Sequence, residues 1–131
     1  MSQDRWSTVD TYFGDTLIGR DQVLERALET SRAAGLPAIQ VAGNQGKLLS
    51  MLARLQGATR ILEVGTLGGY STIWLARALL PSGSIVTLEL DPAHAAVAHQ
   101  NLEDAGLSDR VEIRVGRAVD TLAAMVEAGE T

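Results

Sequence analysis

Apolar residues in the first third of the chain recur at the spacing of amphipathic helices. Between residues 21 and 34 they fall at i, i+1, i+4 and i+5, and Gly35 follows where a helix commonly ends. A second helical stripe runs through the leucines of residues 45–55 and stops before Gly57. Residues 6–17 show a weaker helical pattern. The pattern therefore predicts a helical N-terminal part over residues 1–57.

The pattern changes after residue 57, where short apolar runs alternate with helical stripes. The apolar runs predict three strands, at residues 60–64, 84–90 and 110–115. The stripes between and after them predict three helices, at residues 71–80, 92–104 and 119–127. Strands that alternate with helices in this way form parallel sheets with right-handed crossovers. We predict one α/β domain over residues 1–131, with a βαβαβα unit at 58–131.

Composition and charge argue against several classes of partner and site. The 131 residues are 46% hydrophobic and have a net charge of −5, without a run of five like charges. Nucleic-acid grooves and polybasic membrane surfaces need clustered Lys and Arg, so neither kind of partner is expected. The chain has no cysteine, which excludes disulfides, thiolate zinc sites and a cysteine nucleophile. The first residues lack the features of a signal peptide, so we expect a cytoplasmic protein.

The segment ILEVGTLGGYS, residues 61–71, is the strongest candidate for a binding site. Its loop, Gly65–Gly69, follows the first predicted strand, and ligands of open parallel sheets sit beyond the carboxyl ends of the strands. Glycines allow a ligand to approach the backbone closely. Ser71 opens the next predicted helix, whose free N–H groups favour an anionic group.

The residues around this loop limit the choice of ligand. The loop has no Lys or Arg, as a Walker A motif would require, and its G-x-x-G-G spacing differs from the dinucleotide fingerprint. Glu89 lies 24 residues after Gly65, about where a ribose-binding acid belongs. Glu63 interrupts an apolar strand, and burial of an unpaired carboxylate is costly. A ribose, a small carboxylate and a positive charge together fit S-adenosylmethionine.

Three stretches of the sequence resemble one enzyme family. ILEVGTLGGYSTIWLARAL, VTLELDPAHAAVAHQNLEDAGLSDRVEIRVG and VAGNQGKLL are similar to the class I O-methyltransferases of the caffeoyl-CoA and catechol type, especially bacterial ones. The resemblance covers about residues 35–125 and implies a Rossmann-like methyltransferase fold that uses S-adenosyl-L-methionine. It also implies that the C-terminal strands of a seven-stranded sheet are missing from this chain.

The resemblance implies a set of cofactor-binding residues. Those of the first strand and its loop would contact the methionine part: Glu63, Gly65, Leu67, Gly69 and Ser71. Glu89 would hold the ribose hydroxyls, and Val41 would lie against the cofactor. Gly116 and Ala118 would border the adenine, although residues 117–119 differ from the small or polar residues that many relatives have there.

The activity implied by the resemblance is methyl transfer to a hydroxyl of a small, catechol-like acceptor. A divalent ion, usually Mg²⁺, would hold the acceptor oxygens and lower the pKa of the attacking one. The catalytic residues and metal ligands would follow Thr131, so this chain alone would be catalytically incomplete. Its first strand would be left with an open edge. We expect either a longer polypeptide or a homodimer to cover that edge.

Two other readings of the same residues stay open. The chain could bind S-adenosylmethionine or its demethylated product without catalysis, or it could be part of an NAD-dependent dehydrogenase. Two histidines, His94 and His99, are five residues apart, so they do not share a helix face as an i, i+4 metal pair would. We predict that both lie on a solvated surface.

Overall fold

The computed structural model describes residues 2–130, which form six α-helices and three strands. The helices are α1 (Gln3–Phe13), α2 (Gln22–Ala33), α3 (Gly43–Leu55), α4 (Tyr70–Ala76), α5 (Pro92–Asp104) and α6 (Ala118–Glu127). The strands are β1 (Arg60–Val64), β2 (Ser84–Glu89) and β3 (Val111–Val115). A π-helical turn, Gly14–Ile18, follows α1, and a 3₁₀ turn, Ser108–Arg110, precedes β3. No helix within residues 2–130 is long and apolar enough to cross a membrane.

The three strands form one parallel sheet in the order β1-β2-β3, which confirms the predicted α/β fold class. In the register of β1 and β2, Glu63 lies opposite Thr87. Among the described residues no strand pairs with the outer edge of β1. Leu62 and Val64 of this strand are 47% and 61% exposed. The expected open edge is therefore present, and how it is covered stays a prediction.

The main core lies between one face of the sheet and helices α2, α4 and α5. Its most buried members include Ile73 of α4, Ile85 of β2 and Leu102 of α5, all at most 2% exposed. The opposite face is more open, and Met125 of α6 shares a cavity there with Val86. Full burial of an aliphatic side chain stabilises a fold by roughly 1.5–3 kcal/mol, so the α4–α5 face dominates stability.

Helix α4 ends four residues earlier than its apolar pattern predicts, at Ala76 instead of Leu80. After Ala76 the hydrogen bonding becomes of the 3₁₀ type: the N–H groups of Ala78 and Leu79 donate to the carbonyls three residues earlier, at 3.0 and 3.4 Å. The chain must then reverse at once into β2. Ala78 and Leu79 after α4 are still buried, at 8% and 7% exposed, whereas Leu80 is 52% exposed. The apolar pattern therefore indicated burial correctly as far as Leu79, and it indicated helix length incorrectly.

Helices α3 and α4 approach each other closely where Gly46 faces Trp74. A Cβ atom added to Gly46 would lie 2.9 Å from Cγ of the Trp74 indole and closer still to other ring atoms. Since the indole is rigid and packed, either the ring or the helix would have to move. Trp74 thus packs against the core, and the contact leaves no space for a side chain at position 46.

The first stability prediction follows from this contact. Gly46→Ala should lower the free energy of unfolding by about 1–3 kcal/mol, because it overpacks the α3–α4 interface. Gly14→Ala is the matched control: Gly14 has helical angles, and no atom lies within 4 Å of its added Cβ. The control should be neutral or slightly stabilising. Urea unfolding of both variants checks the prediction, and equal stabilities would contradict it.

Asp21 joins the start of α2 to the end of α4. Its Oδ1 accepts from the backbone N–H groups of Val23 and Leu24, both at 3.1 Å, and its Oδ2 accepts from Arg77 Nη1 at 2.7 Å. Partial burial alone would raise the pKa of the Asp21 carboxyl. The Arg77 guanidinium and the two N–H groups outweigh burial, and they hold that pKa below its ordinary value of 3.8.

This lowered pKa predicts an acid-dependent loss of stability. The folded state prefers the ionised Asp21, so the stabilisation is complete above pH 3.8 and is lost as pH falls through the lower folded pKa. Asp21→Asn keeps a good N-cap but removes the charge. The stability difference between the original protein and this variant should shrink below about pH 4. Thermal unfolding from pH 3 to pH 7 measures it, and a constant difference would contradict the assignment.

Candidate functional site

A cavity of about 380 Å³ opens at the carboxyl ends of β1 and β2. It brings together five of the predicted site residues from separate parts of the chain: Val41, Gly65, Leu67, Ser71 and Glu89. Val41 comes from the segment before α3, Gly65 and Leu67 from the glycine loop, Ser71 from the first turn of α4, and Glu89 from the end of β2. The position agrees with the general rule for ligands of parallel sheets.

Glu63 lies behind this cavity and accepts hydrogen bonds from three hydroxyl groups. Ser71 donates to Oε1 at 2.6 Å, while Thr72 and Thr87 donate to Oε2 at 2.5 and 2.7 Å. The hydroxyls of Thr66 and Thr87 are 2.7 Å apart. A hydroxyl has only one proton, so Thr66 donates to Thr87, which in turn donates to Glu63. The carboxylate thus fixes Ser71, which lines the cavity, although Glu63 itself is not among the lining residues.

Glu89 ends β2 and holds the glycine loop through its side chain. Its Oε2 accepts from the Leu67 N–H at 2.7 Å, and its Oε1 accepts from the Asp91 N–H at 3.0 Å. Leu67 has a φ of 51°, an unfavourable region for a residue with a branched side chain. The bond to Glu89 therefore maintains a loop conformation that the backbone alone would not favour.

Two glycines give the loop its shape. Gly65 has a φ of 92° and Gly69 a φ of 80°, values that side-chain-bearing residues rarely adopt. Gly69 is the N-cap of α4, and an added Cβ there would lie 3.5 Å from Cβ of Ala98 on α5. It is buried and does not line the cavity. Its predicted cofactor contact stays a prediction.

Gly116 and Ala118 lie outside the cavity lining. Gly116 follows β3, and its N–H donates to the backbone carbonyl of Glu89 at 2.8 Å. This bond brings the end of β3 beside the end of β2. Gly116 is thus adjacent to Glu89 along the sheet, and the predicted adenine contact of Gly116 and Ala118 stays a prediction.

His94 is a cavity residue that the sequence analysis missed. It was predicted to be solvated, but its side chain is only 25% exposed and lines the cavity. Its Nδ1 lies 3.6 Å from Glu89 Oε1, and its Nε2 lies 3.7 Å from Asp91 Oδ2. The spacing between the two histidines could not reveal that His94 lines the cavity. Its position in the first turn of α5, five residues after Glu89, could have indicated it. His99 is 65% exposed, as predicted.

The cavity has an excess of negative charge. Within the described part of the chain, neither Glu63 nor Glu89 forms a salt bridge with Lys or Arg. Residues 2–130 also contain no group of three or more His, Cys, Asp or Glu side chains that could hold a metal ion. The site can therefore offer acceptors to hydroxyl groups and to a cationic ligand, and it has no clamp for phosphates.

Comparison with known families gives one clear match. The model of the O-methyltransferase family matches residues 17–131. A catechol O-methyltransferase of Niastella koreensis is 50% identical over 98% of this chain, and one of Mycobacterium tuberculosis is 55% identical over 87% of it. The aligned parts are 58% and 52% of those proteins. The chain thus spans about half the length of the relatives it matches.

Solved structures agree with this match. An O-methyltransferase of Bacillus cereus in complex with SAH has a TM-score of 0.91 and 51% identity, over 95% of this chain and 56% of that one. An O-methyltransferase of Streptomyces achromogenes involved in tomaymycin synthesis, in complex with SAM, has a TM-score of 0.87 and 49% identity over the same shares. Both resemble this chain over nearly its whole length.

The hydroxyl network around Glu63 yields the next stability prediction. Glu63→Gln replaces one accepting oxygen by an N–H₂ group and leaves a buried hydroxyl without its acceptor. We expect a loss of about 1–3 kcal/mol in the free energy of unfolding, measured with urea. Glu29→Gln, at an exposed position of α2, is the control and should change stability by less than about 0.5 kcal/mol. Equal stability of the two variants would show that the network contributes nothing.

Proposed function

The chain belongs to the O-methyltransferase family, and on that premise we propose that the protein transfers a methyl group from S-adenosyl-L-methionine to a hydroxyl of a small molecule. The match confirms the family that the three sequence stretches resembled. The observation that supports the proposal most is the carboxylate of Glu89, held by two backbone N–H groups at the edge of the cavity.

Glu89 is suited to the ribose of the cofactor. A carboxylate has about four lone-pair directions, and the N–H groups of Leu67 and Asp91 use one on each oxygen. The remaining lone pairs can accept from the two vicinal ribose hydroxyls. The side chain is 9% exposed and is held by these two bonds without a ligand, so binding need not order it.

The loop and Ser71 are suited to the methionine part. Its ammonium and sulfonium groups are cationic, and the two carboxylates of the site have no Lys or Arg partner in the described residues. Ser71 is held by Glu63 at 2.6 Å, which leaves its oxygen lone pairs available to the ammonium. Gly65 and Leu67 supply backbone at the cavity wall. We assign Glu63 to this end of the cofactor through its hold on Ser71.

The apolar wall of the cavity is suited to the uncharged parts of the cofactor. Val41, Leu28 and Ile39 line it opposite the glycine loop. Gly116 lies beside the Glu89 backbone, and we assign Gly116 and Ala118, which begins α6, to the border of the adenine. The cavity volume of about 380 Å³ lies within the range of about 300–1,000 Å³ usual for small-molecule sites.

The chemistry of the cofactor is transfer of its sulfonium methyl group to a nucleophilic oxygen, with the sulfur keeping the electron pair. The residues described here bind and orient it. We further propose that the methyl acceptor is a catechol-like molecule. We also propose that the protein is a homodimer. A divalent ion, which the family resemblance implies, has no candidate ligand cluster in residues 2–130, so no step is assigned to it.

Calorimetry and a methyl-transfer assay together distinguish this proposal from two alternatives, a non-catalytic binding protein and an NAD-dependent dehydrogenase. Calorimetry of the complete polypeptide should detect binding of S-adenosylmethionine, and radiolabelled methyl transfer to catechol with Mg²⁺ should then detect turnover. Binding without turnover, over a panel of hydroxylated acceptors, would favour a non-catalytic binding protein. Tighter binding of NAD than of S-adenosylmethionine would favour a dehydrogenase.

Glu89→Gln gives the sharpest prediction for the site. The variant keeps the shape but loses charged hydrogen bonds, so its affinity for S-adenosylmethionine should fall roughly 10- to 100-fold. Glu112→Gln is the control, since Glu112 is exposed on β3 and lies outside the cavity. Calorimetric Kd values decide the matter. Unchanged affinity in the Glu89 variant would remove the ribose assignment.

A further inference from the structure

Asn101 is a buried polar residue that the assignments above do not use. It lies on α5, is 2% exposed, and its side-chain amide points toward the glycine loop. Its Nδ2 donates to the carbonyl of Gly68 at 2.8 Å and to the carbonyl of Ala27 on α2 at 3.2 Å. Ser31 Oγ is a third, longer neighbour at 3.4 Å. One amide group thus connects α5, α2 and the loop.

The glycine loop packs closely against α2 at Gly68, the residue whose carbonyl Asn101 binds. A Cβ atom on Gly68 would overlap Ser31 Oγ and would lie 3.1 Å from Ser31 Cβ. Ser31 itself lines the cavity and donates to the carbonyl of Ala27 at 2.7 Å. The position of Gly68 therefore depends on two things: its close packing against Ser31 of α2, and the hydrogen bond from the Asn101 amide to its carbonyl.

We propose that Asn101 is a positioning residue, which holds the Gly68 carbonyl and so keeps the cofactor loop in its binding conformation. The inference deepens the proposed function and rests on it for its effect on affinity. Asn101 does not line the large cavity, so its effect is transmitted through the loop backbone. Glu89 holds the loop at Leu67 from the sheet, and Asn101 holds it at Gly68 from the helices.

The chemistry of the contact requires an amide. The N–H₂ group supplies two protons to two carbonyl acceptors, whereas an Asp carboxylate at the same place would face both carbonyls with acceptors only. A Leu would fill similar space and donate nothing. The role of Asn101 is therefore separable from its volume, which makes a specific test possible.

The test compares Asn101→Leu, which keeps a similar volume but has no donor, and Asn101→Ala with Leu102→Ala in the complete polypeptide. Leu102 is the neighbouring residue on α5, also 2% exposed, and belongs to the core cluster. Three quantities are measured for each variant: the melting temperature, the Kd for S-adenosylhomocysteine, and hydrogen exchange of the loop amides at residues 65–69 without ligand. Leu102→Ala should lose at least as much stability as either Asn101 variant.

The Asn101 variants should bind S-adenosylhomocysteine about tenfold more weakly, equivalent to about 1.4 kcal/mol, and their loop amides should exchange at least about threefold faster. Leu102→Ala should change the Kd less than about twofold while the protein stays folded. Unchanged loop exchange in a folded Asn101 variant, or an equal effect of Leu102→Ala on loop and affinity, would overturn the proposal. Absence of binding by the unsubstituted protein would instead refute the proposed function, and loop exchange would still decide the role of Asn101.

Discussion

The parallel pairing of β1 with β2 is the constraint on which the site depends. It sets Glu63 opposite Thr87 on the core-facing side of the sheet and brings the ends of both strands to one edge. A carboxylate in that position must find donors, and three hydroxyls from β2 and α4 supply them. The need to satisfy one charged side chain thus couples the second strand to the helix that follows the glycine loop.

The loop between β1 and α4 is held in place before any ligand binds. Glu89 on β2 accepts a hydrogen bond from the N–H of Leu67, and Asn101 on α5 donates one to the carbonyl of Gly68. The loop backbone is therefore held both from the sheet and from the helices. Leu67 keeps a left-handed conformation under this restraint. A loop of this kind costs stability locally and lowers the ordering cost of binding.

The two faces of the sheet differ in how well they are covered. Helices α4 and α5 bury one face almost completely, while on the opposite face Leu62 and Val64 of the edge strand β1 are 47% and 61% exposed. An exposed apolar edge strand is a template for further pairing.

The order and type of the elements, the fold class and five of the cavity residues could be predicted from the amino-acid sequence. These follow from local rules: apolar period separates helix from strand, Asp21 and Asp91 cap the helices that follow them, and glycines mark the turns. The partners of Glu63, the position of His94 and the contacts of Asn101 became visible only in the folded chain. Their contacts join residues up to 74 positions apart, as from Asn101 to Ala27. Such contacts depend on how helices pack on the sheet, and no local pattern encodes that packing.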